Sequence, residues 1–342
     1  MLAADNVLAN LLSLGLISSR HLVEEGLSVR PGSARNQHFV VELGGQPTWF
    51  VKYFREERHL LRELTRPQAP GAHLPPVVHA SSDERWIAFS HLRDAITLEE
   101  LMFDDARSAV GAARVTGEII AGLQRSTSAS DEIGTVASRA AQPWAWLSPP
   151  SSILTEASPA QLRLLNYVQS SFALRTALGR LQDSAQDHVA HGDLRPSNIL
   201  ILKSDQASSA DPPIALVDWE FWGIDRRAGD WAMFVAQVYS VFFATLPVAA
   251  SQMDADQLNL ARLPIAVVRD CVREFSQAFL SHAAPEVPRE ELGDALVAAL
   301  LQAAWEVCDD KAALPAPAGF LIHLSENLAR DPAARIAVLL DG

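Results

Sequence analysis

The run His191-Gly192-Asp193-Leu194-Arg195-Pro196-Ser197-Asn198-Ile199-Leu200 constrains this chain more than any other part of it. Asp193 sits on a tight loop, and Asn198 stands at the mouth of a short apolar strand that runs to Leu202. A second apolar strand, Ile214 to Val217, ends in Asp218-Trp219-Glu220, with Asp218 placed 20 residues after Asn198. Between the strands, Lys203 to Pro213 is rich in Ser, Asp, Ala and Pro and reads as a solvated hairpin tip. The second strand then returns Asp218 to the end of the sheet from which the first departs. Asn198 and Asp218 can converge there as hard oxygen donors, the kind that Mg²⁺ prefers, with Asp193 on the loop beside them.

The rest of the chain divides around this feature. After one or two short helices, residues 1–92 read as β-rich. A Pro31-Gly32-Ser33-Ala34-Arg35-Asn36 turn leads into the strand His38–Leu43. Gly44-Gly45 signals a hairpin, and the return strand Thr48–Phe54 carries Lys52. Glu56 to Thr65 has Leu60, Leu61 and Leu64 at helical spacing, predicting that all three share one apolar face. Leu74–Val78 reads as a short edge strand and Trp86–Phe89 as another strand. From Thr97 the pattern becomes helical, with one long amphipathic helix predicted over Gln161–Leu181 and a loop over Ser126–Pro150. The expected fold class is α+β: a small β-rich lobe (1–92), a larger mainly helical lobe (93–342) and a connection at Ser90–Ala95. Clefts between such lobes favour ligands.

Composition narrows the function classes. Two cysteines, Cys271 and Cys308, exclude a disulfide scaffold and a cysteine zinc site and fit a reducing compartment. Met1–Leu16 lacks the basic segment of a signal peptide and reads as an amphipathic helix. Trp231–Ala250 approaches membrane-spanning length, yet Gln237, Tyr239, Ser240, Thr245 and Pro247 mark it as a buried core helix. The expectation is a soluble, cytoplasmic protein. A net charge of −13 disfavours nucleic acid as a partner. Residues 1–92 hold nine basic and nine acidic side chains, so the whole excess falls on 93–342, where it would either attract a cationic acceptor or simply keep the protein soluble. Lysine is scarce, with only Lys52, Lys203 and Lys311, and Lys52 lies inside a strand.

Phosphoryl transfer needs a carboxylate to accept the proton of an attacking hydroxyl, oxygen ligands for Mg²⁺ and a cation on the phosphates. Asp193, the pair Asn198 and Asp218, and Lys52 supply them in that order. The His191–Asn198 run followed by Asp218-Trp219-Glu220 resembles the aminoglycoside phosphotransferase and choline kinase family, the small-molecule branch of protein-kinase-like enzymes. Asp193 and Asn198 match the five-residue step of the kinase catalytic loop, and Asp218 takes the place of the D-F-G aspartate. Gly192 replaces the usual arginine, and Trp219-Glu220 replaces Phe-Gly. The resemblance covers about residues 28–240 and implies a bilobal protein-kinase-like fold with ATP and Mg²⁺ as cofactors. It implies Asp193 as catalytic base and Asn198 and Asp218 as metal ligands. It also implies that Lys52 positions ATP and that Asp230 braces the catalytic loop.

Other positions follow from the resemblance less directly. No G-x-G-x-x-G is present; Ser33 and Ala34 in the early turn would bring backbone amides to phosphate. Glu57 is taken as the ion-pair partner of Lys52, with Glu56 and Glu63 as alternatives. Ser90 and Leu92 would bind adenine through their backbone, and His191 would hold the loop. Arg195 is not assigned to catalysis, though its charge suits a developing phosphate. Trp144, Trp146, Trp219, Phe221 and Trp222 read as core, with cation–π contact to an amine substrate as the alternative. The acceptor pocket is expected from Ala141–Pro150, Trp219–Arg227 and Trp305–Asp310. Three functions fit: a kinase of a small-molecule hydroxyl on a cationic acceptor, a kinase of Ser or Thr in a peptide working with a lyase partner, and a non-catalytic pseudokinase.

Overall fold

The computed structural model describes residues 4–18, 20–21, 26–32, 37–126, 143–203, 211–247, 260–282 and 287–341. Helix α1 (Ala4–Ser13) precedes the strands β1 (Leu27–Pro31), β2 (His38–Leu43), β3 (Gln46–Tyr53), β4 (Ala72–His73), β5 (Val77–Ser81) and β6 (Trp86–Ser90). Five of them form an antiparallel sheet in the order β1-β2-β3-β6-β5. The expected hairpin closes on Gly44-Gly45, and His38 pairs with Lys52 across it. Alternation along β3 sends Val51 and Tyr53 to one face, where they join Val7 and Leu11 of α1 in a small core. Phe50 and Phe54 belong to a second cluster on the opposite face with Leu60, Ile87 and Phe89. Lys52 shares the alternation of that second face.

The helix α2 (Glu57–Leu64) forms as expected but turns a different side inward. Leu60 and Glu63 are buried, while Leu61 and Leu64 are 48% and 41% exposed. The inward row is therefore i, i+3 from Leu60. Leu61 and Leu64 lie about 100° further round the helix, on the row facing water. An acid thus enters the interior where the apolar spacing predicted leucines.

In the larger lobe, β7 (Ile96–Thr97) runs into α3 (Leu98–Asp104), which opens with a capping box between Thr97 and Glu100. Then come α4 (Ala106–Ser126), a 3₁₀ turn at Pro143–Leu147, α5 (Ser151–Glu156), α6 (Pro159–Ser170) and α7 (Phe172–Gln182). The single helix expected over 161–181 is thus two. Ser171 separates them: its N–H still reaches Tyr167 O at 3.0 Å, while its hydroxyl accepts from Leu174 N and starts the next helix. The strands β8 (His188–Ala190), β9 (Ile199–Ile201), β10 (Ile214–Leu216) and β11 (Gly223–Asp225) follow. β9 and β10 form the predicted antiparallel hairpin inside the sheet β4-β10-β9-β7, and β8 pairs with β11. Helices α8 (Gly229–Ala244), α9 (Ile265–His282), α10 (Arg289–Val307), α11 (Ala316–Arg330) and α12 (Pro332–Asp341) complete the lobe.

Its core is built around α8, whose Trp231, Phe234, Val235 and Val238 are wholly buried. Phe234 stacks on Phe275 with centroids 3.9 Å apart, and Trp231 Nε1 donates to Ser276 Oγ at 2.9 Å. The apolar run is the core helix the sequence predicts. Among the described residues no helix is long and apolar enough to cross a membrane. Gly117 lets α4 meet α9, since a Cβ there would lie 2.5 Å from Phe275 O. Both cysteines are buried, and burial pushes the Cys271 thiol up to about 12 and that of Cys308 up to about 11.

One ion pair ties α7 to α10. Arg180 Nε and Nη2 each donate at 2.7 Å to the two carboxylate oxygens of Asp294. Asp294 is buried whereas Arg180 is 38% exposed. Burial raises the Asp294 carboxyl and Arg180 only partly offsets this. The two halves of the pair should therefore respond unequally. Arg180→Ala leaves a buried charge unpartnered and should cost about 2 kcal/mol after discounting for the exposed guanidinium. Asp294→Asn removes the charge with its burial penalty and should cost under about 1 kcal/mol. Urea denaturation at neutral pH measures both.

Candidate active site

The loop that carries Asp193 is fixed from behind. β8 ends at Ala190, paired with Gly223, and Asp230 in the first turn of α8 is completely buried. Its carboxylate accepts from His191 N at 2.7 Å and from Gly192 N at 3.0 Å. Gly192 adopts φ +78°, and a Cβ there would lie 2.3 Å from Phe221 O, so only glycine fits. The His191 ring packs on Trp219 with centroids 4.4 Å apart. With its proton on Nε2, it donates to Val217 O at 3.0 Å and accepts from Asp193 N at 3.3 Å on Nδ1. One imidazole thus links the Asp193 loop to the strand end before Asp218. The bracing expected of Asp230 and His191 is what their bonds provide.

Asp193 and Asn198 are joined directly. Asn198 Nδ2 donates to Asp193 O at 2.9 Å and lies 3.3 Å from its Oδ2. With the amide nitrogen so used, its oxygen side remains for another partner. Val217 N donates to Asn198 O at 3.1 Å, which holds the start of β9 against the end of β10. Asp218 follows at φ +67°, a left-handed conformation that aspartate tolerates better than most residues and that recurs at functional sites. Arg195 places Nε and Nη2 on Asp193 Oδ1, at 2.8 and 2.6 Å, and Nη2 also reaches Glu306 Oε2 at 3.2 Å.

Lys52 crosses from the small lobe to this cluster. Its ammonium bonds Asp218 Oδ1 and lies 2.8 Å from Glu220 Oε2. Burial acts to lower the lysine, but Asp218, Glu220 and Glu63 outweigh it and hold the ammonium charged well above its ordinary range. Burial likewise raises Asp218, and the Lys52 charge overcomes it, so that carboxyl stays below the usual range. Glu57 does not meet Lys52: it is exposed at the start of α2. Glu63, two turns along, enters the interior, pairs with Arg66 at 3.0 Å and feels the Lys52 charge. The correction follows from the face that α2 buries. Glu63 Oε2 has no hydrogen-bond partner, and burial pushes the carboxyl up to about 7.

These residues open onto one cleft of about 1000 Å³ between the lobes. Phe50, Phe89, Leu200 and Val217 line it beside Lys52, Ser90 and Leu92. The Ser90 N–H is taken by Pro76 O and that of His91 by Thr48 O, each at 2.9 Å. The Leu92 N–H enters none of the backbone hydrogen bonds among the described residues. Ser33 and Ala34 lie outside the described residues. The cleft continues past Asp193 to Gln161, Gln302, Trp305, Glu306 and Asp309. Glu306 and Asp309 thus lie where acceptor contacts were expected from Trp305–Asp310. Pro143 and Trp144 line a separate cavity of about 90 Å³ instead. The tryptophans mostly pack: Trp144 lies under Arg226 at 4.2 Å, Trp146 meets Trp305 in a tilted contact with centroids 4.8 Å apart and Trp222 Nε1 donates to Arg62 O at 2.6 Å. Of the five aromatics, Phe221 alone lines the cleft. The sequence reading missed Gln161, whose Nε2 donates to Trp305 O at 3.2 Å; the Ser158–Gln161 capping box was its legible signal. It also missed Gln302 and the link from Lys52 to Glu220.

Two outcomes follow. Asp230→Ala leaves the His191 and Gly192 N–H groups buried without acceptors and should cost about 2–5 kcal/mol in urea denaturation. Glu63 holds a proton in the folded protein that the unfolded chain, with its ordinary glutamate, releases between about pH 4.5 and 7. Stability should therefore fall as pH rises through that window. Glu63→Gln should remove the fall and gain on the parent chain between pH 5 and 7.5, both measured without nucleotide or metal.

Comparison with known proteins agrees with this architecture. The family described as "Phosphotransferase enzyme family" matches residues 27–275. No curated protein matches the chain by sequence. Among solved structures, a choline/ethanolamine kinase family protein from Mesorhizobium loti aligns with TM-score 0.56 and 15% identity, covering 99% of both chains. Choline kinase LicA from Streptococcus pneumoniae aligns with TM-score 0.52 and 14% identity, over 93% of this chain and 99% of that one. A GDP complex of an aminoglycoside 2'-phosphotransferase-IIIa variant gives TM-score 0.53 and 13% identity, over 97% and 98%. At such identities these likenesses show a shared protein-kinase-like fold. With a family match over most of its length and that fold, the chain belongs to the phosphotransferase enzyme family of aminoglycoside phosphotransferases and choline kinases.

Proposed function

We propose that this protein transfers the γ-phosphate of ATP, with Mg²⁺, to a hydroxyl group of a small cationic molecule. One observation carries the reading: Lys52, Asp193, Asn198 and Asp218 face a single cleft whose far wall bears Glu306 and Asp309. In the reaction the acceptor oxygen bonds to the γ-phosphorus, the bond to the bridging oxygen breaks and ADP leaves. The hydroxyl proton passes to the Asp193 carboxylate. Lys52 fixes phosphate oxygens, and Phe50, Phe89, Leu200 and Val217 offer apolar walls to a flat base. The Ser90 carbonyl and the Leu92 N–H offer its polar edge a partner.

Asp218 and the amide oxygen of Asn198 suit Mg²⁺. Among the described residues no three His, Cys, Asp or Glu side chains gather for a metal. One carboxylate and one amide fit an ion that keeps waters and substrate phosphates as its remaining ligands. When bound, Mg²⁺ neutralises phosphate charge. Dependence on ATP and Mg²⁺ and two buried, unbridged thiols would both suit a cytoplasmic enzyme.

The cationic character of the acceptor rests on Glu306 and Asp309 together with the Trp305 ring beside them. Choline, glucosamine and kanamycin, named with similar structures, each carry a cationic nitrogen and a hydroxyl and are the first acceptors to test. Asp193→Asn should lower phosphoryl transfer at least about 100-fold, the range of lost general-base catalysis, while ATP still raises the melting temperature. Undiminished transfer by the variant removes Asp193 from the mechanism. A phosphate mass shift on Ser or Thr of a peptide, with none on the small molecules, overturns the acceptor class.

A further inference from the structure

Arg195 is shared between two carboxylates with different duties. It holds Oδ1 of Asp193 with two N–H groups and reaches Glu306 with one of them. Asp193 and Glu306 are 7% and 13% exposed at the side chain, so these charges meet largely out of water and interact strongly. Glu306 stands in the last turn of α10, where the helix dipole adds negative potential, and Asp309 lies just beyond. The Nε2 groups of Gln237 and Gln302 also approach Glu306, each at 3.4 Å. Arg195 is therefore held between Asp193, which takes its two shorter bonds, and Glu306, the carboxylate that the proposed acceptor cation would approach. Two cations compete poorly for one carboxylate. An ammonium group on Glu306 repels the guanidinium and takes its partner.

We propose that Arg195 is a catalytic residue handed over on acceptor binding: with the acceptor site empty Glu306 helps Asp193 tether it, and an acceptor cation that takes Glu306 frees it to turn towards the transferring phosphate. This inference rests on the phosphotransferase reading above. Its consequence is economy of nucleotide. While tethered, the guanidinium is kept off the γ-phosphate, so water in the empty site attacks slowly. After handover it stabilises the charge that develops as the bond from acceptor oxygen to phosphorus forms and the bond to ADP breaks. The acceptor thus brings about its own phosphorylation by displacing one cation with another.

The test compares ATP hydrolysis without acceptor in the parent protein, Glu306→Gln and the double variant Arg195→Gln/Glu306→Gln, at fixed Mg²⁺. Glu306→Gln should hydrolyse ATP several-fold faster than the parent, and the double variant should lose that gain. A residue that merely shapes the fold cannot produce a gain that depends on Arg195. The KM of the parent for choline, glucosamine or kanamycin, whichever accepts phosphate, should rise about tenfold or more in Glu306→Gln. Hydrolysis no faster in Glu306→Gln than in the parent, or a gain that survives removal of Arg195, overturns the handover. If the parent still phosphorylates one of those acceptors, the proposed function stands without it. No transfer by the parent to any acceptor, with no ATP-induced thermal shift, removes the underlying reading instead.

Discussion

The ammonium of Lys52 is the charge on which the geometry of the cleft depends. It rises from the middle of the small sheet and meets Asp218 and Glu220, both carried by the larger lobe. A buried cation is tolerable only with close anionic partners, and the partners here come from the other side of the cleft. The sheet must therefore sit where β3 can reach the loop after β10. That loop is placed in turn by Asn198, whose carbonyl receives Val217 N, and by His191, which joins Val217 to Asp193. Asp230 closes the chain of constraint by holding the first residues of the Asp193 loop against α8.

Much of this was legible in the sequence because it is local. The tight loop, the two short strands and the hairpin between them follow from residues 191–220 alone, and Asp193, Asn198 and Asp218 meet as that pattern requires. The Gly44-Gly45 hairpin and the buried helix at Trp231 follow from patterns equally short. The misreadings arise where tertiary packing decides. α2 presents Leu60 and Glu63 to the interior, so the acid that this helix buries near Lys52 is Glu63 rather than Glu57. Apolar spacing alone favoured the row with more leucines, and nothing local announces that an acid will turn inward. Likewise the long helix over 161–181 is divided by a serine whose capping bond is visible only in space. The far end of the cleft draws on α6 and the Asp193 loop together with Gln302 and Glu306 of α10, more than a hundred residues further along, and only its acidic character was foreshadowed by the charge imbalance.

That imbalance now has a location. The small lobe is electrically neutral, and the carboxylates of the larger one include Glu306 and Asp309 in the lining of the cleft. Around Asp193, each charge is held by another: Arg195 by Asp193 and Glu306, Lys52 by Asp218 and Glu220. A cleft built from such pairs is preorganised for exchanging partners. Under the proposed function, phosphates would introduce new anions beside Lys52, and a cationic acceptor would introduce a competitor beside Glu306.

The reaction proposed for this cleft moves phosphate from a nucleotide to an alcohol. Phosphorus NMR of the parent protein with ATP, Mg²⁺ and each of choline, glucosamine and kanamycin tests it directly. The account predicts that, with one of them, the γ-phosphate resonance decays as ADP and a phosphate monoester grow in equal amounts. ATP left intact with all three, or consumed only to inorganic phosphate, would contradict it.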